Sequence, residues 1–84
     1  MKVRIRYFAS IREALGPGEA ALEVPDGATV AQVRDLLLAR GEPHARALSR
    51  QAAVRVALDL AMCDESAVLA DGSELAFFPP VTGG

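Results

Sequence analysis

Between Thr29 and Gly41 lies the one stretch of this chain long and periodic enough to be a full helix, and on both sides of it apolar residues alternate instead. Thr29 followed by Gln32 reads as a capping box, the hydroxyl and the amide each satisfying a free N–H at the helix start. Val30, Val33, Leu36 and Leu37 recur at helical spacing as one apolar stripe, leaving Gln32, Arg34, Asp35 and Arg40 wet. Gly41 stops the helix and Pro43 stands just beyond the stop. A lone helix with one apolar face must bury that face against a sheet.

The sheet is written in the alternating runs. Residues 2 to 8 place Val3, Ile5 and Tyr7 on one face and Lys2, Arg4 and Arg6 on the other. Phe8 breaks the pattern by falling on the polar face, which makes it a candidate contact residue. Ser10-Ile11-Arg12-Glu13 reads as a second capping box, opening a short helix that Gly16-Pro17 ends. Glu19 to Val24 forms a strand with Leu22 and Val24 inward, and Pro25-Asp26-Gly27 turns the chain. After a short turn or helix over residues 43 to 50 around Leu48, Val54, Val56 and Leu58 mark a third strand. A turn near Asp59 and a short fourth strand from Leu60 to Cys63 follow, with Met62 on the outer face. Residues 64 to 70 read as loop and Asp71-Gly72 as a turn. The last strand, Glu74 to Phe78, sends Leu75 and Phe77 inward and leaves Phe78, like Phe8, on the outside. The order of elements predicts an α+β domain over residues 1 to 78, with no repeat or linker.

Pro79-Pro80 forbids that last strand from continuing, because proline has no N–H for a ladder and fixes φ near −65°. Val81-Thr82-Gly83-Gly84 is therefore expected to form a flexible extended arm, making residues 79 to 84 a tail. With no Cβ on Gly83 or Gly84, the arm can thread a narrow channel in a partner, and the terminal carboxylate becomes a candidate reactive group. A Gly-Gly end arises by chance in about one chain in 200, given a glycine frequency of roughly 7%, so the pair signals little without what precedes it.

Composition limits the alternatives. Eighty-four residues, 51% of them apolar and only four aromatic, give one small core of Val, Leu, Ile and Ala. One cysteine, Cys63, and one histidine, His44, are too few for an internal disulfide or for a metal site at any usual spacing. No phosphate-cradling glycine loop follows a strand. There is no long apolar run, and the charged start Met1-Lys2-Val3-Arg4-Ile5-Arg6 does not suit a secretory signal, so no membrane association and a cytoplasmic location are expected. From Val56 onward there are five acids and no base, a charge of −5, against nine bases and six acids before it, +3. An acidic last third argues against nucleic acid and suits either a basic protein partner or a solvated face.

Phe77-Phe78-Pro79-Pro80-Val81-Thr82-Gly83-Gly84, preceded by Asp71-Gly72 and Glu74, together with Tyr7-Phe8-Ala9 and Ile11-Arg12-Glu13, resembles the ubiquitin-like β-grasp sulfur carriers. Within them it is most similar to the small subunits of molybdopterin synthase. The resemblance covers the whole chain, although Leu58 and Asp59 stand where members often carry an asparagine. It implies a β-grasp fold, a mixed sheet of four to five strands on one main helix. It also implies that an ATP-dependent adenylating enzyme of the ubiquitin-activating type activates Gly84, and that a sulfur donor protein converts it to a thiocarboxylate. Gly84 then delivers sulfur to a cyclic pterin precursor in the large subunit, within a heterotetramer. No permanently bound cofactor is implied, only covalent sulfur at Gly84. Phe8, Phe78 and Met62 become the expected docking patch and Pro79, Pro80, Val81, Thr82 and Gly83 the threaded arm. The same tail is open to three other uses: sulfur donation for thiamine thiazole or tRNA thiolation, conjugation as a ubiquitin-like modifier, or an inert end on a binding module.

Overall fold

The computed structural model describes residues 1–80. Five strands and three helices follow one another as β1 (Lys2–Tyr7), α1 (Ala9–Leu15), β2 (Gly18–Glu23), α2 (Val30–Leu38), α3 (His44–Ala47), β3 (Arg55–Leu58), β4 (Ala61–Cys63) and β5 (Glu74–Phe78). The sheet order is β2-β1-β5-β3-β4. β1 and β5 run parallel at its centre, in register from Arg4↔Glu74 to Tyr7↔Phe77, and the other pairs are antiparallel.

Alternation in the sequence becomes burial in the fold. Val3, Ile5 and Tyr7 from β1, Leu75 and Phe77 from β5 and Val56 from β3 are buried on one sheet face. Against them pack Val30, Val33 and Leu37 of α2, with Ile11 and Leu48 closing the ends. Tyr7 and Phe77 meet with ring centroids 6.1 Å apart. Thr29 caps α2 as expected: its hydroxyl accepts from the Gln32 N–H, and the Gln32 side chain accepts from the Thr29 N–H. Gly18 has φ +124, and a Cβ there would lie 1.9 Å from the Ile5 carbonyl oxygen, so only glycine lets β2 approach β1 so closely.

Three expectations are corrected. Ser10 does not cap α1. The helix begins two residues earlier, after Phe8, with no side-chain cap. Phe8 is still held by the sheet, its N–H donating to the Phe77 carbonyl, while its own carbonyl accepts from Ile11 and Arg12. Arg34, expected on the wet side of α2, is buried, and Leu36, expected on the stripe, is 45% exposed. At about 100° per residue, Arg34 lies about 40° from Val30 and Leu36 about 120° away, so the geometry favours Arg34 at the core.

Burial is tolerable for Arg34 because every side of the guanidinium is bonded. Nε donates to the Leu48 carbonyl at 2.8 Å, one terminal nitrogen to the Ser49 carbonyl at 2.6 Å, and the other to Glu65 at 2.7 Å. Glu65 also accepts from Arg50, which reaches Asp35 and the Ala31 carbonyl. The network ties α2, the α3 turn and the loop at residue 65 together. Burial alone would raise the Glu65 pKa, but hydrogen bonds from Arg50 and Arg34 outweigh it and hold it below the ordinary 4.5.

Replacing Arg34→Ala would leave the buried Leu48 carbonyl without its donor and strip one donor each from the Ser49 carbonyl and Glu65, and chemical denaturation should show a loss of about 3 kcal/mol. A carboxylate with a lowered folded pKa stabilises fully above its unfolded value. That contribution is lost as pH falls through the folded value. Stability of the parent should therefore drop more steeply below about pH 4.3 than that of Glu65→Gln, as followed by thermal melts across the acid range.

Candidate functional site

The strand register lays out the outer face of the sheet, away from α2, in rows. Nearest the end of β5, Phe78 lies opposite Arg55. Phe8 comes alongside Phe78, one residue past the last β1–β5 pair. The next row is Arg6, Ala76, Ala57 and Met62. The third sets Arg4 beside Glu74.

Phe8, Phe78 and Met62, singled out in the sequence, therefore share one face at the base of the tail. Phe8 is 38% and Met62 53% exposed, and Phe78 is half-buried. Ala76 and Ala57, which the sequence reading left aside, form a low floor between Phe78 and Met62. Three arginines border this apolar ground. The Arg6 guanidinium carbon lies 5.3 Å from the centroid of the Phe8 ring, within cation–π range. Glu74 sits 3.9 Å from Arg4 and 3.7 Å from Arg6. Arg55 forms no ion pair among the described residues. Counting by twos back from Phe8 would have found Arg6 and Arg4, but Arg55 required the β3–β5 register.

The acidic last third surrounds the tail only in part, a correction to the charge reading: Asp64 and Glu65 line a groove with Arg55, Met62 and Pro80 at its base, and the other three acids lie elsewhere. Glu65 is bound into the Arg34 network on the helical side. Asp64 accepts from Ser66, Asp71 from the Lys2 N–H, and Asp59 from the Glu74 N–H. Asp59 and Leu60, with φ of 48 and 71, form the two-residue turn between β3 and β4. Aspartate tolerates the left-handed region almost as asparagine does, and its carboxylate holds the neighbouring strand, so the departure from the expected asparagine keeps the turn.

β5 ends at Phe78; Pro79 is half-buried and Pro80 exposed. Val81, Thr82, Gly83 and Gly84 lie outside the described residues. Cys63, on the edge strand, is partly covered, and burial with the nearby Asp64 pushes its pKa up, which keeps it a thiol and a poor nucleophile at neutral pH. His44 opens α3 on the helical side. Among the described residues no three potential metal ligands gather, and no helix is long and apolar enough to cross a membrane.

Residues 5–84 match the ThiS family. The chain belongs to that family. It is 37% identical over 82 residues to the molybdopterin synthase sulfur carrier subunit of Haemophilus influenzae, covering 98% of this chain and 99% of the relative. Its fold is similar to that of SAMP1 from Haloferax volcanii, with a TM-score of 0.77 and 26% identity over the whole of both chains. It is also similar to a chain in the complex of subunits 1 and 2 of the molybdopterin-converting factor from Helicobacter pylori, with a TM-score of 0.63 and 22% identity over both full chains. The expected β-grasp architecture is thus established for this ThiS-family chain.

Behind the face, Tyr7 is 2% exposed and its hydroxyl has no hydrogen-bond partner among the described residues. Burial, reinforced by Glu19, pushes its pKa up to about 12. An unsatisfied buried hydroxyl costs about 1 kcal/mol or more. Tyr7→Phe should therefore raise unfolding stability in urea by about that amount, and a variant less stable than the parent would show that the hydroxyl is satisfied.

Proposed function

We propose that this chain is the sulfur carrier subunit of a molybdopterin synthase, with Gly84 as the residue that holds the sulfur. The observation that carries the reading is similarity along the whole chain to relatives of that name, in a family match that runs through Gly84. The described residues supply what a carrier needs, a contact face at the foot of the tail.

The chemistry follows from the carboxylate. Its charge is delocalised and oxide is no leaving group, so it must first be activated. Attack by the Gly84 carboxylate on the α-phosphate of ATP, in an adenylating enzyme of the ubiquitin-activating type, gives an acyl-adenylate and releases pyrophosphate. Sulfur supplied at the sulfide level by a donor protein then displaces AMP and leaves a thiocarboxylate, a soft nucleophile at neutral pH. In the large subunit it attacks the cyclic pterin precursor, water then releases the Gly84 carboxylate and leaves one sulfur behind, and a second carrier supplies the other sulfur of the molybdopterin dithiolene. Holding the tail in a channel converts a bimolecular encounter into an effectively intramolecular one, a gain of up to about 7 to 11 kcal/mol. ATP is a substrate of the activating enzyme, and the only group carried here is sulfur. Two carriers with two large subunits form the proposed heterotetramer, and ATP-dependent activation fits a cytoplasmic location.

Geometry makes the docking face a requirement of this chemistry. Four residues separate Pro80 from the end of Gly84, at most about 14 Å of chain, so a partner that receives Gly84 must press against the tail's base. Phe8, Phe78 and Met62 stand there, and each large apolar side chain contributes about 1.5 to 3 kcal/mol when fully covered. Pro79 and Pro80 direct the arm, and Val81, Thr82 and Gly83 thread the partner's channel.

Intact-mass analysis after incubation with ATP, the adenylating enzyme and a sulfur donor should show one oxygen replaced by sulfur at Gly84. Adding the large subunit and precursor should restore the original mass. A chain lacking Gly84 should do neither, and high-mass adducts on denaturing gels would point instead to a protein modifier. Phe8→Asp should fold normally and lose copurification with the large subunit; retained binding would remove the patch from the account.

A further inference from the structure

The docking face is not simply apolar. Arg4, Arg6 and Arg55 project from it around Phe8, Phe78, Ala76, Ala57 and Met62, and the one carboxylate among them, Glu74, is shared between Arg4 and Arg6 at 3.9 and 3.7 Å. Its side chain is only 16% exposed, whereas those of Arg4 and Arg6 are 58% and 49% exposed. Three guanidinium groups against Glu74 give the ground around Phe8 and Phe78 about +2 in a protein whose formal net charge is −2, while Asp64 and Glu65, the latter already paired with Arg34 and Arg50, line the groove beyond Arg55. Asp59, at the far end of the face, turns its carboxylate into the Glu74 N–H. Positive charge is thus gathered around Phe8 and Phe78, against the sign of the whole molecule.

We infer that the surface receiving this face is acidic, an apolar insert for the Phe8–Phe78–Met62 ground edged by carboxylates that meet Arg6, Arg55 and Arg4. The inference rests on the docking reading above and adds the charge of the partner to it. Arginine suits the role because its flat, weakly hydrated cation can lie on an aromatic ring and still pair with a carboxylate through its edge. Arg6 over Phe8 already has that arrangement. A single-stranded nucleic acid also combines negative charge with stacking surfaces, but the net negative charge of the chain opposes a polyanion that extends beyond the face.

The test is the association of the intact chain with the molybdopterin synthase large subunit of its own organism, followed by surface plasmon resonance from about 50 to about 500 mM salt. Over that range the screening length shortens from roughly 14 to roughly 4 Å. The variant carrying Arg6→Glu and Arg55→Glu should associate about tenfold more slowly at the low-salt end, with the gap closing at the high-salt end and dissociation little changed. Arg6→Gln with Arg55→Gln, which leaves smaller local perturbations, should show the same trend with a smaller gap. Association within twofold of the parent at low salt, or a loss equal at both salt concentrations, would overturn the acidic-partner inference while Phe8→Asp still abolishes binding. If Phe8→Asp binds unchanged, the docking reading fails and takes the inference with it. Fluorescence polarisation with a labelled single-stranded oligonucleotide should show no binding near physiological salt, and saturable binding there would assign the arginines to nucleic acid instead.

Discussion

The parallel ladder between β1 and β5 is the constraint on which the rest of this fold depends. It joins the first strand to the last, so the chain between them must cross over and return, and α2 covers the crossing. Register at this ladder does two things at once. It puts Tyr7 and Phe77 into the core side by side, and it brings Phe8 and Phe78 out together on the opposite face. A slip of one residue would exchange the faces of a whole strand, burying Arg4 and Arg6 and exposing Ile5 and Tyr7, a loss no other contact could offset. The docking face is therefore specified by the packing of the core behind it.

Small size makes the same economy visible elsewhere. The loop from Asp64 to Ala70 has little regular structure, yet Leu69 is buried, and Thr29 pairs with Val68 across to the start of α2. Arg34 and Arg50 complete the fastening by holding Glu65 and the carbonyls after α3. A domain of this length has few spare apolar side chains, and a buried arginine whose donors are used can close a seam that a core of aliphatic residues would leave open. Such a network carries specificity of arrangement more than net stability, since the desolvation of its charges opposes the bonds they make.

Period-two alternation was enough to read β1, β3 and β5 from the sequence, because a half-buried strand writes its two faces in turn. The Thr29–Gln32 box and the glycine stop did the same for α2. Misreadings arose where a residue's type and its angle on an element disagree. Leu36 looks like core and Arg34 like surface, but the helix phase set by Val30, Val33 and Leu37 decides otherwise. Ser10 has the side chain of a cap, yet the ladder holds Phe8 extended and the burial of Ile11 fixes where the turn begins. Charge failed as a guide for a different reason. The sequence groups the last five acids together, whereas the fold ties Glu65 to Arg34 and Arg50 and sends Asp71 to the opposite end of the sheet, so arginines from β1 and β3 stand beside Phe8 and Phe78, and Asp64 and Glu65 line the groove at Pro80. Phe8, Phe78 and Met62 were legible because an aromatic or methionine on a polar face stands out one strand at a time. Arg55 was not, because its place beside Phe78 exists only in the sheet.

On the proposed reading, a carrier meets more than one partner with the same short tail, and the mixed character of its face then has a physical rationale. A purely apolar patch gains affinity mainly by slowing dissociation, which would hold the spent carrier in place after its sulfur has gone. Charges at the border act chiefly on the rate of encounter and on orientation, and contribute less to holding the complex together once water is excluded. Placing two alanines in the centre, with Phe8, Phe78 and Met62 around them, keeps the apolar area modest. Setting arginines outside that area directs the approach so that the tail's base meets the mouth of the partner's channel. Glu74 tempers the same field: by sharing itself between Arg4 and Arg6, it limits repulsion within the isolated domain without neutralising either side chain. A face built in this way favours arrival and alignment over residence, as a subunit that must dock, deliver and leave requires.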